Sequence, residues 1–356
     1  MSFPLATIDA AALRNNLGVV RRLAPRSRVM AVVKADAYGH GIAGTAKTLT
    51  DADAFGVARL GEALALRNAG IEQPIVLLEG VLYAEQLAAA AQHRLELVVH
   101  SFEQLDMLDA LSSGHRFDVW LKLDTGMNRL GFRGEDFPSA LGRVQRCAAV
   151  DRIRLMTHLA CAEEQGGSVS ERQIRLFEEL TSSLNFEKSI ANSAGIIVRS
   201  DARIDWVRPG LMLYGMSPLG EQSARELGLR PAMTLSAPLI AVREVKAGEA
   251  VGYGGLWRAP RDARVGIAAI GYGDGYPRTM RNGAPVLVDD QPATIAGRVS
   301  MDMIAIDVTH LPEARVGSDV ILWGRGLPAE RVAPFADTLA YELVCRVNER
   351  VAVKWI

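Results

Sequence analysis

Residues 31–41 read AVVKADAYGHG. The apolar run at 29–33 has the Val-rich composition of a strand buried on both faces, and it stops at Lys34. Asp36, Tyr38, His40 and two glycines follow at once. Most lysines stay in water, so the plain reading is a surface residue at a strand end. A lysine that closes a buried strand and opens a Gly-containing turn also stands where a small molecule can reach it. The sequence further out decides between the two.

Short strand candidates recur after this one: 54–58 (AFGVA), 74–80 (PIVLLEG), 95–101 (LELVVHS), 118–126 (DVWLKLDTG), 153–160 (IRLMTHLA), 188–195 (KSIANSAG) and 204–210 (IDWVRPG). With 29–34 they make eight. Amphipathic helical stretches lie between most of them, among them 62–69, 84–92, 102–111 and 171–184. A further helix at 10–20 has Asp9 as its N-cap and Leu13, Leu17 and Val20 on one face. Strand–helix alternation with eight units predicts a (β/α)8 TIM-type barrel. A doubly wound open sheet ranks lower, because no Gly-x-Gly-x-x-Gly turn follows the first strand. Near Ser236 the texture changes to Val, Ile and Gly broken by turn signals such as KAGEAVGYGG and IGYGDGYPR, with no helical period before 328–338. The expected division is residues 1–233 as the barrel and 234–356 as a mostly β domain. No flexible linker separates them.

Composition narrows the function. The chain has 356 residues, 40 basic and 41 acidic, for a net charge of −1. No basic stripe interleaved with aromatics suggests a nucleic-acid partner. No apolar stretch is long enough to span a membrane, and the start lacks a signal-peptide pattern. Three widely spaced cysteines, Cys147, Cys161 and Cys345, fit a reducing cytoplasm and neither a disulfide framework nor a metal site.

In such a barrel, reactive groups collect at the C-terminal ends of the strands. Those ends carry Lys34; Lys122 and Asp124, running into Arg129; Thr157 and His158; Asn192 and Ser193; and Arg208 before Gly210. The expected mouth is rich in cations and donors. It has no carboxylate pair for glycoside chemistry and no His cluster for a metal. A single lysine with an anion site nearby points to Schiff-base chemistry. Turns 193–196 and 210–211, after strands seven and eight, are where barrels bind phosphate, although two ordinary βα turns would look the same. An aldehyde with a phosphate handle is pyridoxal 5'-phosphate, whose ring withdraws electrons from a carbon next to an amine. A permanent cation such as Arg208 at the ring nitrogen would weaken that withdrawal, which suits moving one proton and little else.

The motifs resemble those of the alanine racemase family nearly end to end. AVVKADAYGHG resembles its cofactor-lysine signature. KLDTGMNRLGF (122–132), MTHLACAEE (156–164), ANSAG (191–195), VRPGLMLYG (207–215), VGYGG (251–255), GYGDGYPR (271–278) and GRVSMDMIAIDVT (297–309) are similar to its other blocks, in the family's order. Leu159 and Glu349 depart from the common pattern, away from the proposed catalytic positions.

The resemblance implies racemisation of L- and D-alanine by two bases, Lys34 and Tyr253, on opposite faces of the substrate. Lys34 would also carry pyridoxal 5'-phosphate covalently. Tyr253 would come from the partner subunit of a homodimer with shared active sites. Arg208 would face the pyridine nitrogen with His158 behind it, Tyr38, Ser193, Gly210, Leu211 and Tyr341 would hold the phosphate, and Asn192 would belong to the cofactor site. Arg129 and the Met301 backbone would bind the substrate carboxylate, and Tyr272 would narrow the entrance. Lys122 matches a lysine carbamylated in many members. No metal is implied. Taken bottom-up, Tyr253 is a tyrosine in a Gly-rich turn. A phenol ionises near pH ~10, so as a base it needs a cation close by, which only a second chain covering the mouth would supply. Rival readings are a serine or broad-specificity racemase, a decarboxylase of the same cofactor class, and a non-catalytic cofactor carrier.

Overall fold

A computed structural model describes residues 3–111, 114–164, 167–220 and 222–356. Eight parallel strands close into a barrel: Arg28–Val32, Ala54–Val57, Ile75–Leu77, Leu95–Val99, Phe117–Lys122, Val150–Met156, Lys188–Ser189 and Trp206–Val207. Each corresponds to one of the expected runs. Helices expected at 62–69, 84–92, 102–111 and 171–184 form at Leu60–Asn68, Glu85–Gln92, Phe102–Asp109 and Ser168–Thr181. The barrel is filled by Met30, Ala54, Val76, Val98, Trp120, Met156 and Trp206, one inward side chain from most strands.

The strands are shorter than their apolar runs, and this matters at the mouth. The first was expected to reach residue 34 but ends at Val32. Lys34 opens a short helical turn, Lys34–Gly39, in which Ala35, Asp36, Ala37 and Tyr38 all have φ between 52° and 54°. Four consecutive residues in the left-handed region cannot continue a strand. The seventh run, expected over 188–195, breaks after Ser189, and Asn192 caps the helix Ser193–Val198 by accepting from Gly195 N–H at 3.0 Å.

The second domain is built on Met233–Val245. This strand pairs with Asp319–Trp323 through Leu235 to Pro238, shifts register between Leu239 and Ala241, and then pairs with Ala263–Ala268. Through Ile304–Asp307, Gln291–Ile295 and Pro285–Val288 the sheet returns to Asp319–Trp323 and closes a ring. Residues 1–233 do not all belong to the barrel. Leu5–Ile8 pairs antiparallel with Met233–Val245 and parallel with Ala352–Trp355, so the first strand lies in the second sheet. Its alternating exposure, half-buried then buried, gives one face to the common core. The helix Ala10–Leu23 then carries the chain to the barrel, with Asp9 accepting from Ala12 N–H at 2.9 Å as expected. No helix among the described residues is long and apolar enough to cross a membrane.

Candidate active site

Strand ends at the barrel mouth bring the predicted cations together. Arg208, 5% exposed, is fixed by four acceptors. Its guanidinium donates to Ser189 Oγ (2.5 Å), Thr157 O (2.6 Å), Ile190 O (3.2 Å) and His158 Nδ1 (3.4 Å). Burial lowers its pKa to about 10, which leaves it charged at neutral pH. Burial, then the charge of Arg208 and those of Lys122, Arg129 and Lys34, holds His158 well below the usual imidazole range. The ring is neutral, and Nδ1 accepts from Arg208.

Lys122 is 8% exposed. Burial, then Arg208, Arg129 and Lys34, push it down to about 8 against the upward pull of Asp124. Asp124 thus sets a carboxylate in a strongly cationic mouth, and its Oδ1 accepts from Gly126 and Asn128 N–H at 3.0 Å each.

Beside Lys34 lies a second set. Ser193 Oγ accepts from Gly210 N–H (2.9 Å) and Met212 N–H (3.4 Å), and Leu211 begins the short 3-10 turn that follows. A Cβ on Gly210 would stand 2.6 Å from Tyr38 Oη. The two hydroxyls and the Gly210 backbone therefore converge on one point. Tyr38 stacks on Tyr214 (ring centroids 4.7 Å apart) and approaches Tyr341 (6.3 Å). Tyr214 Oη donates to Val32 O at 2.9 Å, which anchors the stack to the strand before Lys34. The donor set fits pyridoxal 5'-phosphate: one lysine, a buried cation that cannot accept a proton, and clustered hydroxyl and backbone donors for an anionic handle.

The second domain holds the remaining predicted residues. Tyr272 N–H donates to Ser300 O (3.0 Å), and Gly273 N–H donates to Met301 O (2.8 Å), so Tyr272 and Met301 share one loop pair. Tyr253 sits in the turn Tyr253–Gly255 and is 68% exposed. Among the described residues, no hydrogen bond, ion pair or ring contact joins it to the mouth of its own barrel.

Sequence reasoning placed Thr157 at a strand end without a role and missed the other groups that hold this set. Thr157, Ser189 and Ile190 are the acceptors for Arg208. Glu62 Oε1 accepts from Ala35 N–H (2.6 Å), and Glu62 Oε2 from Ala58 N–H (2.8 Å) and Arg59 N–H (3.1 Å). The signal for Glu62 was available: a glutamate three residues past a helix start reaches back to free N–H groups.

Sequence profiles described as "Alanine racemase, N-terminal domain" and "Alanine racemase, C-terminal domain" match residues 8–218 and 232–355. The alanine racemase of Nitrosococcus oceani is 51% identical over 352 residues, 99% of each chain. That of Shewanella woodyi is 48% identical, covering 99% of this chain and 98% of its own. The crystal structure of the biosynthetic alanine racemase from Pseudomonas aeruginosa superposes with a TM-score of 0.97 at 46% identity over 100% of both chains. With the barrel, the β domain and a cationic mouth in place, the chain belongs to the alanine racemase family of isomerases.

Proposed function

We propose that this chain interconverts L- and D-alanine with bound pyridoxal 5'-phosphate, with Lys34 and Tyr253 as the two bases. The observation that carries the reading is the mouth itself: Lys34, Lys122, Arg129 and Arg208 crowd together with Asp124 as their carboxylate. Such a site favours an anionic cofactor and an anionic substrate. When bound, the cofactor would withdraw electrons from the substrate Cα and so acidify its proton.

The protein residues do the rest. Lys34 would hold the cofactor and exchange the proton on one face. Tyr253 of a second copy would exchange it on the other. Arg208, locked by its acceptors, donates and never takes a proton, and neutral His158 supports it from behind. Tyr38, Ser193, Gly210, Leu211 and Tyr341 would hold the phosphate, and Asn192, the cap of Ser193–Val198, would shape the cofactor site. Arg129 and Met301 would receive the substrate carboxylate, with Tyr272 at the entrance. Lys122 is lowered far enough for its neutral amine to form near neutral pH, the form that reacts with carbon dioxide. Carbamylation there would give Arg129 an anionic partner.

In this reading residues 1–233 bind the cofactor and 234–356 supply Tyr253 to the partner. A homodimer is supported by exposed apolar residues on the second domain: Tyr253, Leu256, Met301 and Met303 are 68%, 54%, 53% and 45% exposed. A cytoplasmic site of action is consistent with the widely spaced free cysteines.

The test separates the bases. Tyr253→Phe should abolish Cα proton exchange from one enantiomer and leave some exchange from the other; equal, mild losses for both would sink the assignment. Lys34→Ala should lose covalently held cofactor and its visible absorption. A polarimetric assay across L-alanine, L-serine and larger L-amino acids separates the racemase readings. An active monomer in light scattering would overturn the shared site.

A further inference from the structure

Behind the lysine turn, where the barrel meets the second domain, is a cavity of about 10 Å3. His40, Met233, Trp323, Glu330 and Val344 are among the residues lining it. Three buried polar atoms on these residues have no hydrogen-bond partner among the described residues: His40 Nε2, Trp323 Nε1 and Glu330 Oε2. His40 and Trp323 are each 1% exposed. Buried polar atoms nearly always have partners, so three on residues that line one small cavity call for an explanation. They come from three separate elements: the C-cap of Lys34–Gly39, the end of Asp319–Trp323 and the helix Ala329–Val332.

We propose that this cavity binds one structural water molecule, which accepts from Trp323 Nε1–H and donates to His40 Nε2 and Glu330 Oε2. The polarities are fixed by the neighbours. His40 Nδ1 lies 2.8 Å from Tyr38 O, and a carbonyl only accepts, so Nδ1 carries the ring proton. In the neutral ring Nε2 is then a bare acceptor. An indole N–H only donates. Glu330 Oε1 is already taken by Ser217 N–H at 2.8 Å, leaving Oε2 to accept. One donor and two acceptors complement a water molecule, which has two protons to give.

Other occupants fail on chemistry or size. A metal cation cannot be ligated by an indole N–H, and an anion would face Glu330. The room matches the roughly 10–15 Å3 that one water needs and nothing larger. Through His40 Nδ1 and the Tyr38 carbonyl, this water ties the turn that carries Lys34 to the strand and helix of the second domain.

A high-resolution crystal structure of the full chain tests the proposal. A single water peak at hydrogen-bond distance, about 2.7–3.2 Å, from all three atoms is expected. An empty cavity overturns it, as does a His40 ring turned to bond Glu330 directly, or a peak with the coordination of a metal. In the same crystals Trp323→Phe should cost the peak most of its occupancy while His40 stays in place. Full occupancy in that variant would remove the indole as a partner and overturn the three-point assignment. Should that variant fail to fold, the wild-type peak alone decides.

Discussion

Gly39 and His40 end the turn that Lys34 opens, and Gly210 packs against Tyr38 within it. Gly39 has φ +76°, and a Cβ there would stand 2.1 Å from Val344 O in the second domain. Gly39→Ala combines left-handed strain with a backbone clash, and a loss of at least about 2–3 kcal/mol is expected in denaturant titration. Gly210→Ala puts its Cβ 2.6 Å from Tyr38 Oη and meets no backbone atom, so the fold should hold while the stacked Tyr38 ring is pushed from its place. Cofactor retention should weaken about tenfold, or about 1.4 kcal/mol, in a titration of the apoprotein with pyridoxal 5'-phosphate.

Burial lowers His40 to about 4, against smaller upward pulls from its contacts with Tyr38 and Ala37. Below its ordinary pKa the unfolded chain takes up a proton that the folded chain refuses. Stability should therefore fall as pH drops from about 6.5 toward 4, by at most about 3 kcal/mol. His40→Gln should flatten that part of the profile in melts recorded across pH.

At the scale of elements, the turn Lys34–Gly39 is the costly one. A left-handed non-glycine residue costs roughly 1–2 kcal/mol, and Ala35 to Tyr38 are four in a row. The surroundings offset this. Glu62 accepts from Ala35 N–H, Asp36 Oδ1 accepts from Ile42 N–H at 2.7 Å, and Ala37 N–H donates to Val33 O at 2.9 Å. Glu62→Ala leaves three N–H groups without this acceptor and should cost about 2 kcal/mol in thermal unfolding, with Glu62→Gln costing less than half of that.

This element also marks the limit of sequence reading. Short strand-like runs alternating with helical stretches of period 3.6 exposed all eight barrel strands, most of them apolar and bounded by turn residues. The same patterns extended the first strand to residue 34, because no propensity rule assigns a left-handed turn to Ala-Asp-Ala-Tyr. Tertiary contacts from Glu62 and Val344 impose it. At the site, Lys34, Arg208 and His158 stood out as charged residues ending apolar runs. Thr157 was legible as a strand-end residue, but its role as an acceptor was not, and neither were those of Ser189 and Ile190, since acceptors that are backbone carbonyls or small hydroxyls leave no mark in composition.

For the molecule as a whole, the barrel has two unlike ends. Toward the base, Arg154 is 3% exposed and reaches Glu96 (3.0 Å), Asp118 (3.4 Å) and Glu187 (2.8 Å). Its guanidinium lies 5.2 Å from the Trp120 ring and 5.8 Å from the Trp206 ring. Burial raises the Glu96 pKa more than Arg154 lowers it, so the carboxylate depends on that partner. Arg154→Met should cost about 3–5 kcal/mol in thermal melts, and adding Glu96→Gln should restore part of it. Such a plug stiffens the end opposite the chemistry, and the cationic mouth is left to bind.

The strand Leu5–Ile8 is made first, yet its partners are Met233–Val245 and Ala352–Trp355. On the ribosome it waits through the whole barrel before the first arrives, and nearly to residue 356 before the second. The barrel strands pair mostly with neighbours close in sequence and can assemble as they emerge, and the ring closes when Trp206–Val207 reaches Arg28–Val32. On pairing distance alone, the barrel can close before the second sheet, whose first strand stays unpaired until Met233–Val245 and Ala352–Trp355 are made.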